Sequence, residues 1–187
     1  GIEKIAQRFL NDPIRITVKE THTQTSIKQV FYSVQSDEEK IKALQLILHK
    51  YQPDSTVVFC NTKAMSQFVA DELSHLGFSA LALNGDLEQK ERDQVLMRFA
   101  CKSISILVAT DVAARGLDID GLDAVINFEL SRDPEVHVHR IGRTGRAGES
   151  GTAFSFFTDT DSYKVSLIGD ECQLDIQSSI LPDVNVL

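Results

Sequence analysis

Ten residues, His139-Arg140-Ile141-Gly142-Arg143-Thr144-Gly145-Arg146-Ala147-Gly148, bring together three guanidiniums and an imidazole, with no carboxylate between Glu135 and Glu149. A guanidinium presents five donors in a planar fork, and that fork matches phosphate oxygens better than any other side chain does. Three of them without an acidic neighbour are tolerable on an open solvated face, or around an anion that they share. On a helix Arg140 and Arg143 share one side, and His139 and Arg143 nearly do. Gly142, Gly145 and Gly148 make continuation of a regular helix costly, so Arg146 is expected at the helix end or in the loop beyond it. The chemistry open to this set is phosphate binding, including stabilisation of the charge that builds on equatorial oxygens during phosphoryl transfer.

Three further stretches carry polar residues next to glycines or strand ends. In Val57-Val58-Phe59-Cys60-Asn61-Thr62-Lys63, Thr62 can donate its hydroxyl to a phosphate beside the backbone amides of a helix N-terminus, or simply cap that helix. In Asn84-Gly85-Asp86-Leu87-Glu88-Gln89-Lys90-Glu91-Arg92, Gly85 permits a close backbone approach. Gln89 reads as the partner of Asp86 in a capping box, and Arg92 as a phosphate contact or a surface ion pair with Glu88. Ala109-Thr110-Asp111-Val112-Ala113-Ala114-Arg115-Gly116-Leu117-Asp118-Ile119 places Asp118 where a carboxylate can accept from sugar hydroxyls; Asp111 is a natural N-cap, and Asp118 also reads as a loop carboxylate.

The elements that must position these residues alternate. Thr56–Cys60 is a continuous apolar run, as expected of a strand covered on both faces. Ser79–Leu83, Ile104–Ala109, Leu122–Phe128 and Gly151–Phe157 follow as strands, and Ile14–Val18 and Ile27–Val34 precede it. Helical patterns lie between. The first opens at Ser36 with Glu39 three residues on and carries Ile41, Leu44, Ile47 and Leu48. The second turns Phe68, Val69, Leu73 and Leu76 inward and ends at Gly77; the third carries Val95, Met97 and Phe99; a turn of helix is expected at Val112–Ala114. Asp133-Pro134 opens the arginine-bearing helix, and another spans Asp159–Gly169. Gly1–Leu10 reads as a helix, Glu20–Ser26 as a linker and Leu174–Leu181 as a last strand or extended tail. Strand–helix alternation with short connections implies an α/β domain: three layers, with a mostly parallel sheet covered by helices on both faces. Ligands of such sheets gather at the carboxyl ends of the strands, where Thr62, Gly85, Thr110–Asp118 and the arginine helix all fall.

The chain has 187 residues, 42% hydrophobic and 25% charged, enough for one domain with a substantial core. A net charge of −8 argues against a surface that binds nucleic acid throughout, so phosphate binding must be local. Cys60, Cys101 and Cys172 are odd in number and widely spaced, and imply neither a metal motif nor a disulfide framework; a cytoplasmic setting is expected. His137 and His139 are two apart and point away from each other on a helix, so no metal site is expected there.

His139–Arg146, the stretch ending at Lys63, the segment from Asn84 to Arg92 and Ala109–Ile119 together resemble, in order and spacing, four motifs of the DEAD-box RNA helicases, over about Pro13–Pro182. The resemblance implies the second RecA-like domain of such an enzyme. The stretch from Asn127 to His139 most resembles the bacterial DbpA type, whose members act on ribosomal RNA in large-subunit assembly and carry a further RNA-binding domain. By that likeness Arg143 and Arg146 are arginine fingers toward the γ-phosphate of ATP, and Asp118 and Gly116 are also ATP contacts. Thr62, Gly85, Arg92, Thr110 and Arg115 lie on the RNA track, and His139, Arg140 and Gln89 face the partner domain. No Walker loop and no D-E-A-D tetrad occurs in the chain, so the phosphate cradle and the Mg2+ ligands are expected in an N-terminal RecA-like domain. Residues 1–26 read as the tail of that domain and the interdomain linker, 27–182 as the motor domain, and 183–187 as the start of a linker to a further C-terminal domain. On this reading the chain is an excised fragment without ATPase activity of its own. Two other readings remain: half of a superfamily-2 DNA helicase or translocase, and a non-catalytic module that docks RNA or protein.

Overall fold

A computed structural model describes residues 13–19, 26–117, 119–145 and 151–172, with side chains from residue 27 onward. The expected elements at Gly1–Leu10, in the stretch after Lys19 and at Leu174–Leu181 lie outside these residues. The chain runs β1 (Pro13–Lys19), β2 (Ser26–Ser33), α1 (Asp37–Tyr51), β3 (Thr56–Cys60), α2 (Lys63–His75), β4 (Ala80–Leu83), α3 (Gln89–Ala100), β5 (Ile106–Thr110) and α4 (Asp111–Ala114). It continues through β6 (Ala124–Asn127), α5 (Pro134–Ile141), β7 (Gly151–Phe157), a 3-10 turn (Asp159–Asp161) and α6 (Ser162–Glu171).

Among the described residues seven strands form one sheet, in the order β1-β2-β7-β6-β3-β5-β4. Every pairing from β2 to β4 is parallel, and β1 alone runs antiparallel, on β2. The stretch Pro13–Lys19, assigned from sequence to the linker region, is therefore hydrogen-bonded into this sheet. The last strand, β7, lies between β2 and β6, with Ile27 opposite Gly151 on one side and Ala124 opposite Thr152 on the other.

All residues of β3, β5 and β6 are buried, as their unbroken apolar runs demand of strands covered twice. Val58, Cys60, Val108, Ile126 and Phe128 pack one face against Leu44 and Leu48 of α1 and Val69 and Leu73 of α2. Val57, Phe59, Leu107, Ala109 and Val125 pack the other against Phe99 of α3 and Ala113 and Ala114 of α4. Residues of opposite parity along one strand thus serve different layers.

Local chemistry sets the boundaries. Ser36 accepts from the Glu39 amide and caps α1, while the Glu39 carboxylate takes the Gln35 N–H one residue earlier than a capping box requires. The box expected at Asp86 and Gln89 is instead formed by Glu88 and Glu91, two residues later, because Asn84 Oδ1 holds the Asp86 amide in a turn. Thr110, not Asp111, is the N-cap of α4. Phe68 and Leu76 were expected inward but are 43% and 40% exposed, and Met97 of α3 is 65% exposed. The helical period places them on flanks that no neighbouring layer covers.

Candidate nucleotide and RNA interface

Asp133 caps α5 by accepting from Glu135 N, and Pro134 supplies the first turn without a donor to satisfy. The helix ends at Ile141, so Arg140 lies on its last turn and Arg143 in the turn after it. That break sends the two guanidiniums in different directions.

Arg140 points inward and is 2% exposed. Its Nε and Nη2 grip Asp111 Oδ1 and Oδ2, both at 2.7 Å. Nη2 also donates to Asn61 Oδ1 at 2.8 Å, and Nη1 to Glu129 O at 2.7 Å and Asn127 Oδ1 at 3.4 Å. The Phe59 ring lies 5.2 Å from the guanidinium carbon. All five N–H groups are thereby used on acceptors that follow or end β3, β5 and β6. Its donors all face its own strands, since a desolvated guanidinium must find acceptors at once.

Arg143 is partly exposed and turns toward the 117–119 loop, with Nη1 on Leu117 O at 2.8 Å and Ile119 O at 3.4 Å, and Asp120 Oδ1 at 3.8 Å. Next to it Thr144 is fully buried, donates to Leu122 O and forms a parallel bridge with Leu122. The loop that follows α4 and the turn that follows α5 are thus tied together. Asp118 and Arg146 lie outside the described residues.

Arg115, Gly116, His139 and Arg143 line a cleft of ≈ 130 Å³ with Phe59 and Arg140 at its floor. A nucleotide-sized ligand needs roughly 300 Å³ or more of enclosure, so this cleft is at most one wall of such a site. His139 is exposed at its rim, whereas His137 is wholly buried beside Gln29. Gly116 has φ +77°, a left-handed backbone conformation that favours glycine.

The other expected residues form a second group along the strand ends. Thr62 caps α2 by accepting from Met65 N, which leaves its hydroxyl proton available to an anion. Its neighbour Lys63 reaches the loop of Gly85 and pairs with Asp86 at 2.8 Å. Thr110 and Arg92 meet at α4: Thr110 accepts from Ala113 N, and Arg92 Nη2 donates to Ala113 O at 3.2 Å. Arg92 therefore braces α4 rather than pairing with Glu88. Gln89 stands apart and donates to Asp93 on its own helix. Asn61, Asp111, Asn127 and Glu129, which hold Arg140, were not singled out for that task from sequence. Their signal was positional, since each lies at or just past the carboxyl end of a strand.

A conserved-domain family, the helicase conserved C-terminal domain, matches residues 39–148. The ATP-dependent RNA helicase DbpA of Escherichia coli is 52% identical over 174 residues, 93% of this chain and 38% of the relative. The DEAD-box ATP-dependent RNA helicase CshA of Geobacillus kaustophilus is 43% identical over 157 residues, 84% of this chain and 34% of the relative. The chain thus spans little more than a third of these relatives' length. Among solved structures, the E. coli DEAD-box protein SrmB, bound to regulator of ribonuclease activity A, superposes with a TM-score of 0.76 at 30% identity, covering 89% of this chain and 94% of that one. The family match over residues 39–148, the mostly parallel sheet and the likeness to a DEAD-box protein place the chain in the helicase conserved C-terminal domain family, as a RecA-like C-terminal domain of the DEAD-box group.

Proposed function

We propose that the chain is the C-terminal motor half of an ATP-dependent RNA helicase that locally unwinds RNA duplexes. The observation that carries this reading is the incomplete cleft: cations and a left-handed glycine at the carboxyl rim of a parallel sheet, with room for only part of a nucleotide. A second RecA-like domain, N-terminal in the same protein, would supply the rest. Arg143 and Arg146 then act as arginine fingers on the transferring phosphate, and Asp118 and Gly116 hold the ribose side. Positioned guanidiniums of this kind are worth about 10³–10⁵ in rate in nucleotide hydrolases.

Thr62, Gly85, Thr110 and Arg115 lie at strand ends where an RNA backbone can cross, and His139 sits at the rim that faces the second domain. Gln89 and Arg92 flank that track from α3. Mg2+ would take its protein ligands from the other domain, together with the phosphates of ATP. No helix among the described residues is long and apolar enough to cross a membrane, and a cytoplasmic setting fits the odd, unpaired cysteines. Following the DbpA likeness, the substrate is ribosomal RNA during large-subunit assembly, delivered by a further C-terminal RNA-binding domain.

The test is RNA-stimulated ATP hydrolysis by the full-length protein, with duplex unwinding scored on RNA and on DNA. Arg146→Ala abolishes the stimulated hydrolysis and RNA is the duplex opened. Unchanged turnover removes the finger role, and preference for DNA moves the chain to the superfamily-2 DNA translocases.

A further inference from the structure

We propose that Arg140, acting with Asp111, is a positioning residue that sets the distance between the 115–119 loop and Arg143 and touches no ligand itself. This rests on reading the cleft as half of a nucleotide site. The geometry is one-sided. Arg140 has no N–H left to give, because each is already directed to an acceptor of its own domain. A phosphate entering the cleft would have to break one of those bonds in a dry setting to reach it.

What the pair joins is specific. Asp111 is the first residue of α4, the helix that leads into Arg115 and Gly116. Arg140 sits at the end of α5, the helix that leads into Arg143. The bidentate fork fixes both distance and rotation between the two helices, which a single hydrogen bond does not. Farther along, Arg143 Nη1 on Leu117 O and Ile119 O ties the same two segments again. The loop on the ribose side and the finger on the phosphate side are therefore spaced by two struts, of which Arg140 is the inner and permanent one.

Stability alone is a poor reason for this arrangement. A buried ion pair is often no more stabilising than apolar side chains of similar volume, owing to the desolvation of both charges. Its merit here is directional. Asn61, Asp111 and Glu129 come from three different strand ends, and one planar group indexes all three to α5.

The experiment compares Arg140→Lys, Asp111→Asn and the double variant in the full-length protein. Lysine keeps the charge but offers three donors from one point, so the fork is lost. Each single variant lowers kcat for RNA-stimulated hydrolysis by about tenfold to a hundredfold, the range expected of a catalytic group displaced by about 1 Å. KM for ATP changes less than about threefold, because no ground-state contact is removed. The double variant falls within about threefold of the worse single one, as two halves of one strut must. Hydrogen–deuterium exchange adds a readout independent of turnover: Arg140→Lys speeds exchange across 111–119 and 139–145 and leaves β2 and β7 unchanged. Wild-type kcat in Arg140→Lys, a raised KM at constant kcat, additive losses, or unaltered exchange in those two segments each overturns the proposal. Absence of RNA-stimulated hydrolysis in the wild-type protein would instead overturn the functional reading, with exchange still deciding the strut.

Discussion

Lowering the pH from 7 to 5 imposes a protonation on the unfolded chain that the folded chain refuses at His137. The imidazole is fully buried, its Nε2 lies 2.8 Å from Gln29 Oε1, and its ring stacks at 6.1 Å on Phe31. Nδ1 has no hydrogen-bond partner among the described residues. Burial, and secondarily the Arg140 charge, lower its pKa from 6.5 to about 3. Above pH 6.5 the ring is neutral in both states and contributes no pH dependence. Below 6.5 the unfolded chain takes up the proton and the folded chain does not, so stability is lost as pH falls toward about 3. At about 1.4 kcal/mol per pH unit, the loss between 6.5 and 5 is about 2 kcal/mol, or roughly 4–8 °C in Tm for a chain of this length. Urea denaturation of the wild type and His137→Gln at pH 7, 6, 5.5 and 5 reads the effect, since glutamine does not titrate. The wild type loses about 2 kcal/mol more than the variant over this range, and subtraction cancels the carboxylates and the other histidines. Parallel stability curves for the two proteins would refute the reasoning, because a ring that accepts a proton in place carries no such penalty.

Gly151→Ala forces a methyl group against the Gly145 amide and Thr144 Oγ1, and is expected to cost about 1–3 kcal/mol in a thermal or urea melt. Arg143→Ala removes the bonds to Leu117 O and Ile119 O, destabilising the chain by about 1 kcal/mol, while full-length hydrolysis falls by about 10³-fold or more. A comparable loss in both measurements would make the residue merely structural. Native labelling with a thiol reagent modifies exposed Cys101 first and Cys172 more slowly; Cys60, whose thiol burial pushes far up, reacts only on unfolding. Early modification of Cys60 would contradict its buried place at the end of β3.

Patterns short in sequence were legible and pairings long in sequence were not. Asp133-Pro134, the Ser36 cap, and the apolar runs of β3 and β5 each encode their own element within a few residues, and each folds as expected. The clustering of Arg115, Gly116, His139 and Arg143 followed from the rule on strand carboxyl ends. The burial of Arg140 was not legible, because helical spacing says which residues share a side, not which side faces the sheet. Its neutralising partner lies 29 residues away, and Asn61 lies 79 away. Phe68 and Leu76 were misplaced for the converse reason: apolar residues are common on surfaces, and only the finished packing shows which flank stays open.

The insertion of β7 between β2 and β6 governs how the chain is made. On the ribosome, β2 emerges with one future neighbour already upstream and the other still untranslated. At roughly 5–20 residues per second it waits on the order of ten seconds for Gly151–Phe157 to appear. Until then the amino-terminal hairpin cannot dock on the central strands, and any stalled or truncated nascent product ending before Gly151 exposes two unsealed edges. Late closure of this kind slows folding and leaves such products to chaperones or proteases.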